Sequence, residues 1–208
     1  VRTISARRMK PAVLADAVAA VVQHGGTVIF PTDTVYGIGC DPLRREAVAR
    51  IFAAKNRPAH KPLSLHFSTV EEMLEYAPGN PLAAAAAEAF LPGPLTIIVR
   101  RLPFVGEWVA AGLPTVGLRV PDHALCAAIL ERCGPLAATS ANLSGSEAFT
   151  GANGALALPI ADIRIDDGPT PVRVESTVVD VSELVPRVVR EGAISVAKLE
   201  DAFGRVIR

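Results

Sequence analysis

Six polar segments of the chain follow or interrupt short apolar runs, and their side chains are of the types that hold anions. In Pro31-Thr32-Asp33-Thr34-Val35-Tyr36-Gly37, two threonines and a tyrosine bring three hydroxyls to one turn, able to donate to a carboxylate or phosphate. The same groups can also satisfy the turn itself through Asx and Thr bonds. Lys55, Arg57 and Lys61 crowd the end of a predicted helix. From position 41 to 66, six basic residues (Arg44, Arg45, Arg50, Lys55, Arg57, Lys61) stand against two acidic ones (Asp41, Glu46). Such cations stabilise a helix C-terminus. They equally suit a phosphate clamp, Lys as a point charge and Arg as a planar fork.

Arg119 lies inside the apolar strand pattern of 116–120 and must face a core or a cleft. A buried Arg needs an anion. Either a bound carboxylate gripped in bidentate fashion or an internal carboxylate meets that need. Thr139-Ser140-Ala141-Asn142 and Glu175-Ser176-Thr177 put small hydroxyl and amide groups at strand ends, as a turn, a cap or a small-molecule site would. Arg190 ends another apolar run, and His66 stands beside Phe67 on a predicted strand, as a core histidine or a cleft residue.

The chemistry is bounded as much by what is missing. The sequence has no Gly-x-x-x-x-Gly-Lys phosphate loop, no Gly-x-Gly-x-x-Gly, no His-Glu-x-x-His and no Gly-x-Ser-x-Gly nucleophile elbow. Its four histidines (24, 60, 66, 123) lack cysteine partners at zinc spacing. A pocket of Lys, Arg, Thr and Ser without a carboxylate pair or a nucleophile triad suits a reaction run by positioning and electrostatics, such as nucleotidyl transfer.

The elements that must position these groups read as an alternation of helices and strands. Pro11 and Gly25-Gly26 bound a helix over 11–24. Strands follow from β-branched runs at 27–30, 63–67, 95–101, 116–120, 136–139, 163–165, 176–180 and 188–190. Helices are predicted from Asp41-Pro42 to about 55, from a capping box at 68–71, over 81–90, from Pro121-Asp122 to about 132, over 153–158, and after Ser195. Ligands in open α/β sheets gather at strand ends. The expected class is α/β or α+β: one domain over 1–208, a twisted open mixed sheet with flanking helices and a concave basic cleft.

Charge and cysteine content set the surroundings. Lys plus Arg and Asp plus Glu are equal at 21 each, which argues against a general nucleic-acid or membrane-surface binder while leaving room for a local basic cleft. Three cysteines without a CxxC pair read as reduced buried thiols. The early apolar run at 13–22 is too short to span a bilayer. A cytoplasmic protein without membrane contact is expected.

In order along the chain, these motifs resemble the YrdC/Sua5 family of threonylcarbamoyl-AMP synthases. The resemblance covers about 12–193 and includes Gly25-Gly26, the 31–37 segment, Lys55-x-Arg57-Pro58, Lys61-Pro62-Leu63, Leu91-Pro92-Gly93-Pro94-Leu95-Thr96, Gly117-Leu118-Arg119-Val120-Pro121, Ser140-Ala141-Asn142-Leu143-Ser144-Gly145, Glu175-Ser176-Thr177-Val178 and Arg190-Glu191-Gly192. It implies a YrdC-like fold in a single-domain form, since longer members carry a further C-terminal domain. It implies that Thr34, His66, Arg119, Thr139 and Ser176 contact threonine. Lys55, Arg57 and Lys61 would contact phosphates, Lys55 and Arg57 as the catalytic pair. Thr115, Ser140, Asn142 and Arg190 would contact ATP or the adenylate, with Tyr36 at the pocket floor. The implied substrates are L-threonine, bicarbonate and ATP, with Mg2+ carried on the ATP phosphates and no protein metal site. The product would pass to tRNA threonylcarbamoyl-transferase proteins, with possible direct tRNA contact. A paralogous carbamoyl-adenylating enzyme and a non-catalytic tRNA- or rRNA-binding module are the rival readings.

Overall fold

The computed structural model describes residues 2–146, 148–151 and 161–204. In chain order the elements are β1 (Arg2–Ser5), a 3-10 turn (Ala6–Arg8), α1 (Pro11–Gln23), β2 (Thr27–Phe30), β3 (Gly37–Cys40), α2 (Arg45–Ala54), β4 (Ser64–His66), α3 (Val70–Leu74), α4 (Pro81–Phe90), β5 (Leu95–Arg100), β6 (Thr115–Arg119), α5 (Ala124–Cys133), β7 (Leu136–Ser140), β8 (Ile163–Asp166), β9 (Thr177–Asp180), β10 (Arg187–Arg190) and α6 (Val196–Phe203). The ten strands join in one sheet, in the order β1-β8-β2-β3-β7-β4-β6-β5-β9-β10. Parallel pairs (β1/β8, β2/β8, β4/β6, β5/β9) alternate with antiparallel ones, so the sheet is mixed, as expected.

Register sorts the side chains into two faces. Val28 pairs with Gly39, Gly39 with Ala138, Ala138 with Ser64, and Ser64 with Gly117, so these share one face. Toward β1, that face is covered by α1 and α5: Leu14, Val18 and Val22 meet Leu125, Ile129 and Leu130 over Val28, Phe30, Ile163 and Ile165. Beyond β7 no helix among the described residues covers it, and a hollow remains. The opposite face carries a larger core in which Ile38, Leu65, Ile97 and Leu118 pack under α2, α4 and α6. Ala83, Ala86 and Ala87 of α4 are fully buried there, their small side chains letting the helix lie close to the strands.

Local signals explain most boundaries. Gly25, at φ 81°, turns the chain after α1. Asn80 caps α4 by accepting from Leu82 N (3.1 Å) and Ala83 N (3.0 Å), and Pro81 needs no such partner. Three helix starts differ from expectation. Asp41 uses its carboxylate on Leu43 N (2.8 Å) and its carbonyl on Arg44 N, closing a turn of its own, so α2 begins only at Arg45. The cap of α3 is Thr69 rather than Ser68; Thr69 accepts from Glu72 N while Ser68 bonds the Glu72 side chain. His123, rather than Asp122, caps α5, its Nδ1 accepting from Cys126 N (3.3 Å). β1 and β3 had no sequence prediction, and the helix expected over 153–158 lies outside the described residues.

Candidate functional site

The uncovered half of the face encloses a hollow of about 250 Å³. Its floor comes from β4, β6 and β7, its far wall from β5, β9 and β10, and its near wall from the turn before β3. Gly117 creates the depth: a Cβ there would stand 2.9 Å from Ser64 Oγ and 3.1 Å from Thr96 Cγ2. Tyr36 is fully buried at the near wall. Its hydroxyl donates to Gly168 O (2.7 Å) and accepts from Asp167 N (3.1 Å). Burial pushes its pKa up to about 12, so it remains a neutral phenol.

Arg119 and His66 sit side by side because parallel pairing of β4 and β6 puts them in register. Both line the hollow, and both are nearly inaccessible to solvent. Arg119 donates from Nη2 to Asp33 Oδ1 (2.5 Å) and from Nε to Gly93 O (3.4 Å). Of the two anions open to a buried Arg, the protein thus supplies one itself. Asp33 Oδ2 and His66 Nδ1 are buried without a hydrogen-bond partner. Desolvation, then the adjacent Arg119 charge, pushes His66 down to about 3, so its imidazole is neutral at pH 7. Across the floor, Thr96 Oγ1 and Ser176 Oγ lie 2.9 Å apart.

Cations gather around the hollow, and each is tied to the protein. Lys55 is buried, and its Nζ donates to Ser140 O (2.5 Å), to Asn142 O and to Asn142 Oδ1 (3.4 Å). Burial, then the charge of Arg57, lowers its pKa to about 8. Arg57 donates from Nε to Lys61 O (2.9 Å) and from Nη2 to Pro62 O (2.7 Å). Arg190 donates from Nη2 to Ser176 O (2.8 Å) and from Nη1 to Glu175 Oε2 (2.9 Å). Ser140 Oγ donates to Asn142 Oδ1 (2.5 Å), and Asn142 Nδ2 to Ser146 O (2.5 Å), fixing the turn after β7.

Of the residues singled out in the sequence, Tyr36, Arg57, His66, Arg119, Thr139, Ser140, Ser176 and Arg190 line the hollow. Thr139 pairs with Ile38, a residue of the opposite core, so its register directs the side chain away and offers main chain instead. Lys55 and Asn142 stand directly behind Ser140 and shape the rim rather than line it. Thr34 is fully buried behind Thr32, whose Oγ1 lies 3.1 Å from its own; Thr32 is the lining residue. Lys61 is exposed and outside the lining, its carbonyl holding Arg57. Thr115 begins β6, four residues from Arg119, and pairs with Arg100 away from the lining. Sequence reasoning missed Asp33, Thr96 and Glu175 as individual contributors. Thr96 was visible as a lone hydroxyl in an apolar strand.

The sequence of the Sua5/YciO/YrdC family, described as telomere recombination, matches residues 20–192. A threonylcarbamoyl-AMP synthase of Pyrococcus abyssi (strain GE5 / Orsay) is 38% identical over 192 residues, which cover 90% of this chain and 56% of the relative. A putative threonylcarbamoyl-AMP synthase of Mycobacterium leprae (strain TN) is 37% identical over 199 residues, covering 93% of this chain and 89% of that one. The crystal structure of P. abyssi Sua5 complexed with L-threonine superposes with a TM-score of 0.90 at 34% identity, over 99% of this chain and 62% of that chain. The chain therefore spans less than two thirds of the length of the P. abyssi protein. With the family matched over residues 20–192 and the fold reproduced across 99% of the chain, this chain belongs to the Sua5/YciO/YrdC family.

Proposed function

We propose that the chain is a threonylcarbamoyl-AMP synthase, converting L-threonine, bicarbonate and ATP to threonylcarbamoyl-AMP and pyrophosphate. The observation that carries the reading is the gathering of two kinds of group in one hollow. A buried arginine, a neutral histidine and a hydroxyl pair lie in the same hollow as Arg57 and Arg190, with Lys55 behind Ser140, and Arg190 Nη2 meets the hydroxyl pair at Ser176 Oγ (3.3 Å) where the two groups join. The first kind suits a small polar amino acid, the second a polyphosphate.

Arg119 keeps Nε and Nη2 on protein oxygens, which pre-orients the guanidinium and leaves Nη1 for the threonine carboxylate. His66, uncharged, adds a polar contact without repelling the amino acid's ammonium. The threonine ammonium gives up a proton to solvent, and the free amine takes up bicarbonate with loss of water to give an N-carboxy group. One oxygen of that carboxylate attacks the α-phosphorus of ATP in line, and the bond to the pyrophosphate oxygen breaks. Arg57 and Arg190, with Lys55 behind them, stabilise the charge that collects on the departing pyrophosphate. Mg2+ enters on ATP as part of the substrate. Positioning and charge do the work, and no covalent enzyme intermediate is required. The product serves threonylcarbamoyl transfer to tRNA by partner proteins in the cytoplasm. Among the described residues no helix is long and apolar enough to cross a membrane.

The test is pyrophosphate release from radiolabelled ATP. Release that depends on both threonine and bicarbonate is expected. Release with carbamoyl phosphate in place of that pair would favour the carbamoyl-adenylating paralogue, and tRNA binding without any release would overturn catalysis.

A further inference from the structure

Among the described residues lining the hollow, Glu175 is the one carboxylate, set in a rim otherwise built to attract anions. Its Oε2 lies 2.9 Å from Arg190 Nη1. Its charge also reaches the neighbours, opposing the loss of protons from both Lys55 and Arg57. The backbone beneath is fixed: Glu175 O accepts from Ala193 N (3.0 Å), and a Cβ on Gly192 would stand 2.3 Å from that same oxygen. The side chain itself is about a third exposed, so it can turn into water without disturbing the core. Arg190 does not depend on it for position, because Nε and Nη2 are held by Ser176 O.

We propose that Glu175 is a resident anion: it occupies Arg190 while the hollow is empty and must release it when a polyphosphate enters. The inference rests on the reading of the cationic rim as a phosphate site. The carboxylate sets how tightly that rim holds polyanions. It weakens the grip on ATP, and equally on the pyrophosphate that must leave. A rim of three unopposed cations would hold the leaving group longer.

Inorganic tripolyphosphate, which carries neither nucleoside nor amino acid, is the probe. Its binding is measured by titration calorimetry to the unaltered chain, to Glu175→Gln and to Glu183→Gln. Glu183 pairs with Arg100 on the exterior, outside the hollow, and removes the same charge elsewhere. Glu175→Gln is expected to bind about two- to fivefold tighter, the reach of a partly exposed ion pair. The gain should narrow as salt shortens the screening length and vanish in an Arg190→Ala background. Glu183→Gln should bind like the parent. Unchanged or weaker binding by Glu175→Gln, an equal gain from Glu183→Gln, or no binding by any form overturns the proposal. Tighter binding by Glu175→Gln without threonine-dependent pyrophosphate release would uphold it while overturning the synthase reading.

Discussion

One face of one sheet is used in two opposite ways. Toward β1 it carries Val28, Phe30, Ile163 and Ile165, and α1 and α5 close over them. Past β7 the same face carries Ser64, His66, Thr96 and Arg119, and stays open. The backbone ladder is continuous across the boundary, so the strands do not decide which half is covered. Side-chain polarity does. Arg119 and His66 are already nearly inaccessible, Arg119 through partners that loops supply, and an apolar helix on this half would meet hydroxyls and charges rather than an apolar stripe. The hollow begins where the face turns from apolar to polar.

That contrast can be broken from either side. The largest effect belongs to Arg119→Ala. It leaves Asp33 buried and unpaired, so a loss of about 3–5 kcal/mol is expected, together with loss of adenylate formation. Urea denaturation and pyrophosphate release measure the two. Restoring stability but not activity with an Asp33→Asn/Arg119→Ala double variant would separate the pair's structural and binding roles; no change in the urea midpoint of the single variant would refute the buried-pair account.

A smaller, pH-dependent effect belongs to His66. Its pKa falls from 6.5 in the unfolded chain to about 3 in the folded one. Between those values the unfolded chain binds more protons, so folding stability is full above about pH 6.5 and drains as the pH falls toward 3. The expected loss is a few kcal/mol. His66→Asn should show a shallower decline of urea midpoint with acid than the parent, and parallel profiles would contradict the assignment.

The mildest change lies in the covered half. Ile129→Val, buried in α5, should cost about 0.5–1.5 kcal/mol. Because the apolar half only supports the sheet, the KM values for threonine and ATP should not move. A shift in either would mean that the halves are coupled more tightly than their chemistry suggests.

Much of this was legible in the residues. Pro11, Gly25, Pro81 and Ser195 mark helix ends that the structure keeps. β2, β5, β6 and β8 follow their β-branched runs. β3 was not legible: Gly37-Ile38-Gly39-Cys40 lacks alternation, and two glycines argue against a strand. They are tolerated because the Phe30 ring fills their place, 3.1 Å from where either Cβ would stand. β1 was missed because its partner β8 lies far along the chain. At the site, residue type announced Arg119 but not its partner. Asp33 reaches it across 86 positions, a distance no local pattern reports. The cationic cluster was plain, but that Lys55 would face carbonyls of the β7 turn depends on how β3 and β7 pair.

The glycine seam also has a mechanical side. Phe30 belongs to the helix-covered half, yet its ring meets His66 edge-on, centroids 6.2 Å apart. With no side chains on this face of β3 to cushion the gap, that aromatic edge acts as a bearing between scaffold and hollow. Drift of α1 or α5 would reach the imidazole through Phe30, so helix substitutions that spare this ring should be silent, whereas those that tilt it would be felt in the hollow.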